Sequence, residues 1–287
     1  MYPTYGLLFA AFLARYVPAI PIGSGRVLPP WQVLLFAAVA SGLVQGLLSP
    51  LGALALACLW AATAASTQAP APEVRRFAKL TAILLAMALA LHLIPGFANP
   101  VVAQDLRLTE NSVALTLRAN FDKGAAGLLM LACFCRPPER REWLRVVGIG
   151  VAVGGVTAAL VIGLVAALGP IRFDPKWSPV ALAWMPINLF LTCVFEEVLF
   201  RGLLQQSLSD ALRNHPHLRW VPIATASVLF GLVHLGGGFA LIAAASLAGF
   251  GYGSAYILTG RIESAVISHF MLNASHFFLF TYPYAAR

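Results

Sequence analysis

Apolar stretches long enough to cross, or nearly cross, a lipid bilayer recur along almost the whole chain, at about 5–22, 31–48, 50–67, 78–98, 113–135, 146–168, 180–208, 219–236, 238–259 and 262–282. A spanning helix takes about 20 mainly apolar residues, so 287 residues hold these stretches with short connections and leave little for an aqueous domain. Only 10% of residues are charged and 60% are hydrophobic, against roughly 25% charged in a soluble domain. A soluble globular protein is therefore excluded. The expected fold is all-α: a polytopic membrane helix bundle of eight to ten transmembrane helices around a central polar cavity. The count has a range because only the Ser49-Pro50 turn signal separates the second and third stretches, which read equally as a re-entrant pair.

The net charge of +8 resides mostly between the apolar stretches. With ten spans, the odd-numbered connections carry Arg26, then Arg75, Arg76 and Lys79, then Arg136, Arg140, Arg141 and Arg145, then Arg213 and Arg219, and finally Arg261. The positive-inside rule places those connections in the cytoplasm and both termini outside. No basic stripe is interleaved with aromatics, so nucleic acid is not an expected partner. Cys58, Cys133, Cys135 and Cys193 lie in or beside apolar runs and imply no disulfide framework, and Cys133 and Cys135, two apart with no second pair, read as small buried hydrophobes rather than as a metal knuckle. The first apolar run lacks a basic segment before it and reads as a span rather than a signal peptide. Around 113–135, the weakest of the stretches as a span, Arg118 and Asp122 stand i,i+4 on an expected helix and would either neutralise one another near an interface or line a cavity.

Ionisable groups inside apolar helices cost about 2.5–3.5 kcal/mol each on insertion scales, and they gather in the C-terminal third. LTCVFEEVLFRGLLQQ places Glu196 beside Glu197, with Arg201 four residues after Glu197 and positioned to pair with it. Glu196 is rotated about 100° away and cannot share that pairing equally. The structural reading of this segment is one ion pair plus a carboxylate satisfied elsewhere. VLFGLVHLGGG follows, with Phe230 on the same helical face as His234, and helix lengths counted from the 210–218 loop put His234 and Glu196 at similar depth. In ESAVISHFMLNASHFFLF, His269, Asn273 and His276 share one stripe, which reads as an inward-facing wet surface. GFGYGS supplies Gly249, Gly251 and Gly253, read as helix-packing positions. A buried carboxylate can act as general base on a water, an imidazole can orient that water, and His269 with Asn273 can donate to a developing oxyanion. Neither a serine-nucleophile elbow nor an HExxH helix is present.

EEVLFR fits EExxxR, FGLVH fits FxxxH and HFMLN fits HxxxN, in that order, within about 80 residues. On these motifs the sequence from about 180 to 282 resembles the CPBP family, the CAAX proteases and bacteriocin-processing enzymes also called ABI, which includes Rce1-type prenyl-protein endopeptidases. The resemblance implies an intramembrane glutamic endopeptidase in which Glu196 and His234 activate water and His269 and Asn273 stabilise the oxyanion. Glu197, Arg201 and Phe230 would be supporting residues, with no cofactor and no metal. It divides the chain into N-terminal transmembrane helices of unassigned role, 1–175, and a catalytic core, 176–287.

The expected partners are the lipid bilayer and a membrane-anchored protein or peptide, cut near its C-terminus or its hydrophobic or lipidated segment. The Ala/Leu/Gly-rich composition and short loops look bacterial, so the expected location is a bacterial inner membrane, and the resemblance carries the chemistry rather than a prenylated substrate. The oligomeric state is left open. A zinc-bound water is the alternative for the same hydrolysis, since Glu and His are good ligands. A transporter or non-catalytic scaffold is the alternative from another class.

Overall fold

The computed structural model describes residues 2–23, 25 and 27–286; Arg26 of the first connection lies outside the described residues. The chain is mostly helical and divides into two compact units, one of Met1–Val102, Arg118–Phe134 and Phe190–Phe195, the other of Ala103–Leu117, Cys135–Leu189 and Glu196–Arg287.

The first unit begins with α1 (Tyr2–Ala14), then a short antiparallel pair, β1 (Ile20–Pro21) with β2 (Val27–Leu28), in which Ile20 faces Leu28. The expected stretch 5–22 is therefore cut short: the backbone before Pro18 and before Pro21 is pushed out of the helical region. Helices α2 (Pro30–Val44), α3 (Pro50–Gln68) and α4 (Pro72–Ala90) each start on proline, which fits the first helical turn because its missing N–H needs no partner there. The Ser49-Pro50 signal is a helix start, with Ser49 Oγ accepting from Gly52 N at 3.4 Å.

Strands β3 (Val101–Leu106) and β4 (Leu115–Arg118) follow and pair as a two-stranded sheet before α5 (Phe121–Phe134). The stretch 113–135 is thus not one span, since its first part is strand and α5 is about 21 Å long. Arg118 ends β4 and Asp122 opens α5, so the expected helical i,i+4 pairing of the two does not exist. Buried Asp122 instead lies 2.7 Å from His92 Nδ1 and accepts from Asn99 Nδ2 at 2.9 Å and from the Lys123 amide at 2.8 Å.

The second unit contains α6 (Trp143–Ala167), α10 (Val221–Leu232), α11 (Gly238–Thr259), α12 (Ile262–Leu279) and, except for Phe190–Phe195, a long helical run over 181–211. The long run is not uniform. It comprises α7 (Ala181–Pro186), a π-helical stretch Ile187–Cys193, the single α-helical turn α8 (Val194–Glu197), a second π-helical stretch Val198–Gln205, and α9 (Gln206–Ala211). Pro186 lacks the amide that would continue the α-helical ladder, and the wider winding starts directly after it. Small residues bring α6 and α12 together: Ser268 Oγ donates to Gly150 O at 2.8 Å, and a Cβ on Gly154 would stand 2.8 Å from Ser268 Cα.

Among the described residues, three helices are long and apolar enough to cross a membrane: Pro50–Gln68, Trp143–Ala167 and Leu235–Thr259. Tyr2–Ala14 and Pro30–Val44 are apolar but shorter. Along α6, Val147, Val151, Val156, Leu160 and Leu164 are exposed, a stripe that water would not tolerate at this size and that lipid solvates. Cys133 and Cys135, expected as small buried hydrophobes, are partly buried, Cys193 is buried and Cys58 is exposed.

Candidate active site

All the residues singled out in the C-terminal third lie in the second unit. Glu196 and Glu197 close α8, the one α-helical turn between two π-helical stretches, which preserves their offset of about 100°. π-helical insertions recur at functional sites because they re-aim side chains within a helix.

Glu197 turns fully inward and meets two partners. Arg201 Nε lies 3.0 Å from its Oε2, both side chains being 0% exposed. The approach is too bent for a hydrogen bond, and the guanidinium's Nη1 and Nη2 make none either. The cation is held instead by ring faces, with Phe230 at 5.1 Å and Phe200 and Tyr252 at 5.9 Å; a desolvated cation over an aromatic face gains about 2 kcal/mol. The second partner is His269, whose Nδ1 lies 2.8 Å from Glu197 Oε1. A carboxylate facing a guanidinium accepts, so Nδ1 carries the proton and Nε2 points the other way.

That other nitrogen faces Glu196: His269 Nε2 and Glu196 Oε2 are 4.0 Å apart. The imidazole therefore stands between the two neighbouring carboxylates. Its plane is fixed by Tyr252, stacked on it at 4.5 Å and 11°, and by the edge of Phe230 at 5.7 Å.

His234 lies two residues beyond the end of α10, directly before a short 3-10 turn, and is half-buried. Its Nδ1 donates to Phe230 O at 2.7 Å, and its ring is 5.0 Å from that of Phe230. The carbonyl can only accept, so in the neutral ring Nε2 is left as an acceptor. Asn273 Nδ2 donates to Asn188 Oδ1 at 3.1 Å, joining α12 to the first π-helical stretch.

His234, His269, Asn273 and His276 line one cavity of about 300 Å³ together with Phe230 and Tyr252. The rest of its wall is largely aliphatic, from α6, α11 and Leu272. The cavity is thus apolar with a polar margin rather than polar throughout. Glu196 is outside this lining. The stripe His269, Asn273, His276 keeps its shared face, but His276 is engaged elsewhere, with its Nε2 3.2 Å from Thr281 O.

Tyr252 and Asn188 were not among the residues the motifs singled out. Tyr252 was hidden in a segment read for its glycines, and Asn188 is a single amide in an apolar run. The glycines do more than let helices pack: a Cβ on Gly249 would meet Arg201 Nη2 at 3.4 Å, and one on Gly253 would meet Gln205 Oε1 at 2.7 Å. They clear the space into which the buried polar side chains of the second π-helical stretch project.

Outside the apolar segments, Arg261 at the start of α12 forks onto Glu142 at the start of α6, with Nε 3.1 Å from Oε2 and Nη2 2.9 Å from Oε1. Those bonds from Arg261, and then the Glu139 amide, hold the Glu142 carboxyl below the usual glutamate range. Among the described residues no group of three or more His, Cys, Asp or Glu is arranged to hold a metal ion.

Residues 176–275 match the model of a protein family described as type II CAAX prenyl endopeptidase Rce1-like. No curated protein and no solved structure matches the chain.

Proposed function

We propose that the chain, whose residues 176–275 match the Rce1-like family of type II CAAX prenyl endopeptidases, cuts a membrane-associated protein near its C-terminus or beside a hydrophobic or lipidated segment, using a water activated by Glu196. The family makes the protein a peptide-bond hydrolase of the membrane. The finer reading rests on one observation, the placing of His269 Nε2 4.0 Å from Glu196 while Nδ1 is bonded to Glu197.

Glu196, one-fifth exposed, takes a proton from water as the hydroxyl attacks the scissile carbonyl. His234, with Nε2 as acceptor, orients that water. His269 and Asn273 Nδ2 supply hydrogen bonds to the oxyanion; only the doubly protonated imidazole can donate from Nε2, and the Glu197 and Glu196 carboxylates on either side would balance its charge. Collapse of the tetrahedral intermediate passes the proton from Glu196 to the leaving amine, so water is divided between the two products. Glu197 and Arg201 hold His269 in place, and the catalytic core is taken as 176–287, with 1–175 supplying further helices of unassigned role.

The test compares C-termini in membrane proteomes of cells lacking the protein, cells carrying Glu196→Gln and cells carrying the wild type. Uncleaved forms shared by the first two and absent from the third are expected, with His234→Ala and His269→Ala behaving like Glu196→Gln. Normal processing by Glu196→Gln refutes the general-base assignment.

A further inference from the structure

The apolar cavity has a second end. Along α12 it runs from His269 past Asn273 to His276, on the order of 10 Å further. There Leu168, Pro170 and Ile171, from the loop after α6, and Pro283 and Tyr284, from the segment after α12, form the wall.

This segment is a built element. Thr281 N donates to Arg172 O at 2.9 Å, and Arg172 N donates to Thr281 Oγ1 at 3.0 Å. Ala285 N donates to Pro170 O at 2.9 Å, Val113 N to Tyr284 O at 3.1 Å and Ala286 N to Asn111 O at 2.7 Å. The Lys176 ammonium donates to Phe280 O. Tyr282 is anchored between the rings of Trp184, Phe277 and His276, at 6.0, 5.1 and 5.0 Å, with its hydroxyl accepting from Trp184 Nε1 at 3.3 Å. Bonded on both edges and pinned by one aromatic side chain, it holds the next two side chains against the cavity. His276, third in the polar stripe, tethers it through Thr281 O.

We propose that Pro283 and Tyr284 are specificity-determining residues: they close the cavity opposite His269 and set the length of the apolar chain that a substrate can lay into it. The inference rests on the function proposed above, because it takes the His269 end as the place of the scissile bond. The occupant follows from the wall, which between the His269 and His276 ends is aliphatic and aromatic apart from the Asn273 amide and contains no Asp, Glu, Lys or Arg. At about 300 Å³ the cavity is at the lower limit for small-ligand sites, where one aromatic ring is a large share of the available length.

The probe is a set of peptides identical in sequence, S-alkylated at one cysteine with short, medium or long linear chains and carrying a fluorophore. Dissociation constants are measured by fluorescence anisotropy on the full chain in nanodiscs, in a Glu196→Gln background, with Tyr284 unchanged, Tyr284→Ala or Tyr284→Trp. A methylene more or less in an apolar pocket changes binding about 10-fold or more. The long-to-short affinity ratio is therefore expected to rise on the order of tenfold for Tyr284→Ala and to fall comparably for Tyr284→Trp. Either variant suffices should the other fail to fold. Identical length profiles in all versions, including absence of binding to any, overturn the proposal. Cleavage of the same peptides by the Glu196→Gln protein at the wild-type rate would overturn the active-site assignment while leaving the length profile to be judged by itself.

Discussion

Removing one member of the Glu197–Arg201 pair should destabilise the protein far more than removing both. At 3.0 Å and an effective dielectric of about 20, two unit charges attract by about 5 to 6 kcal/mol, and burying both side chains completely consumes most of that gain. What remains exposed to mutation is the uncompensated partner, for which a loss of about 3–5 kcal/mol is typical. The two single changes are not equivalent. Glu197→Gln leaves a guanidinium with no carboxylate and with only the faces of Phe200, Phe230 and Tyr252 around it, so it belongs at the upper end. Arg201→Met leaves a carboxylate that still accepts from His269 Nδ1 at 2.8 Å, so it belongs near the lower end. The double variant has no stranded charge and should lose only about 1–2 kcal/mol, giving a coupling energy of at least 2 kcal/mol. Unfolding in mixed micelles, followed by tryptophan fluorescence, gives all four corners of the cycle. Additive losses would show that the two charges do not depend on one another and would refute the account.

Neighbouring glycines on α6 should respond with opposite sign. Gly154→Ala puts a methyl 2.8 Å from the Ser268 backbone, which cannot rotate away, and should cost about 1–3 kcal/mol; Gly155→Ala meets nothing within 4 Å and should be neutral or stabilising by up to about 1 kcal/mol, and equal melting shifts for the two would be inconsistent with this packing. The Glu142–Arg261 fork sets a pH dependence. Because the native carboxyl is held low by Arg261, its stabilising effect is present above the ordinary glutamate value and is lost as pH falls through the lowered native value. The melting difference between wild type and Glu142→Gln should thus be present near neutrality and vanish in acid, and a difference that grows in acid would reverse the sign of the argument.

What the sequence disclosed depends on whether the local winding is regular. On α12 the 3.6-residue repeat holds, so the shared face of His269, Asn273 and His276 was legible from spacing alone. The Glu197–Arg201 contact was legible too, since four residues return a side chain to nearly the same face. The relation that carries the proposed chemistry, His269 between two adjacent carboxylates, joins residues about 70 positions apart, and no periodicity reports that. π-helical winding is rare enough that Pro186 alone, an ordinary helix-kinking signal, did not announce the two stretches that flank Glu196 and Glu197. At β4 and Asp122 the apolar content of the 113–135 window concealed a strand, because hydrophobicity averaged over a span's length cannot distinguish strand plus short helix from one helix. His276 shows the converse: its place in the stripe was read correctly from period, yet its partner is Thr281 in a segment without helical repeat. Regular helices therefore reveal which polar groups face the cavity, while the irregular backbone, π-helical turns on one side and the 280–286 segment on the other, decides what those groups meet.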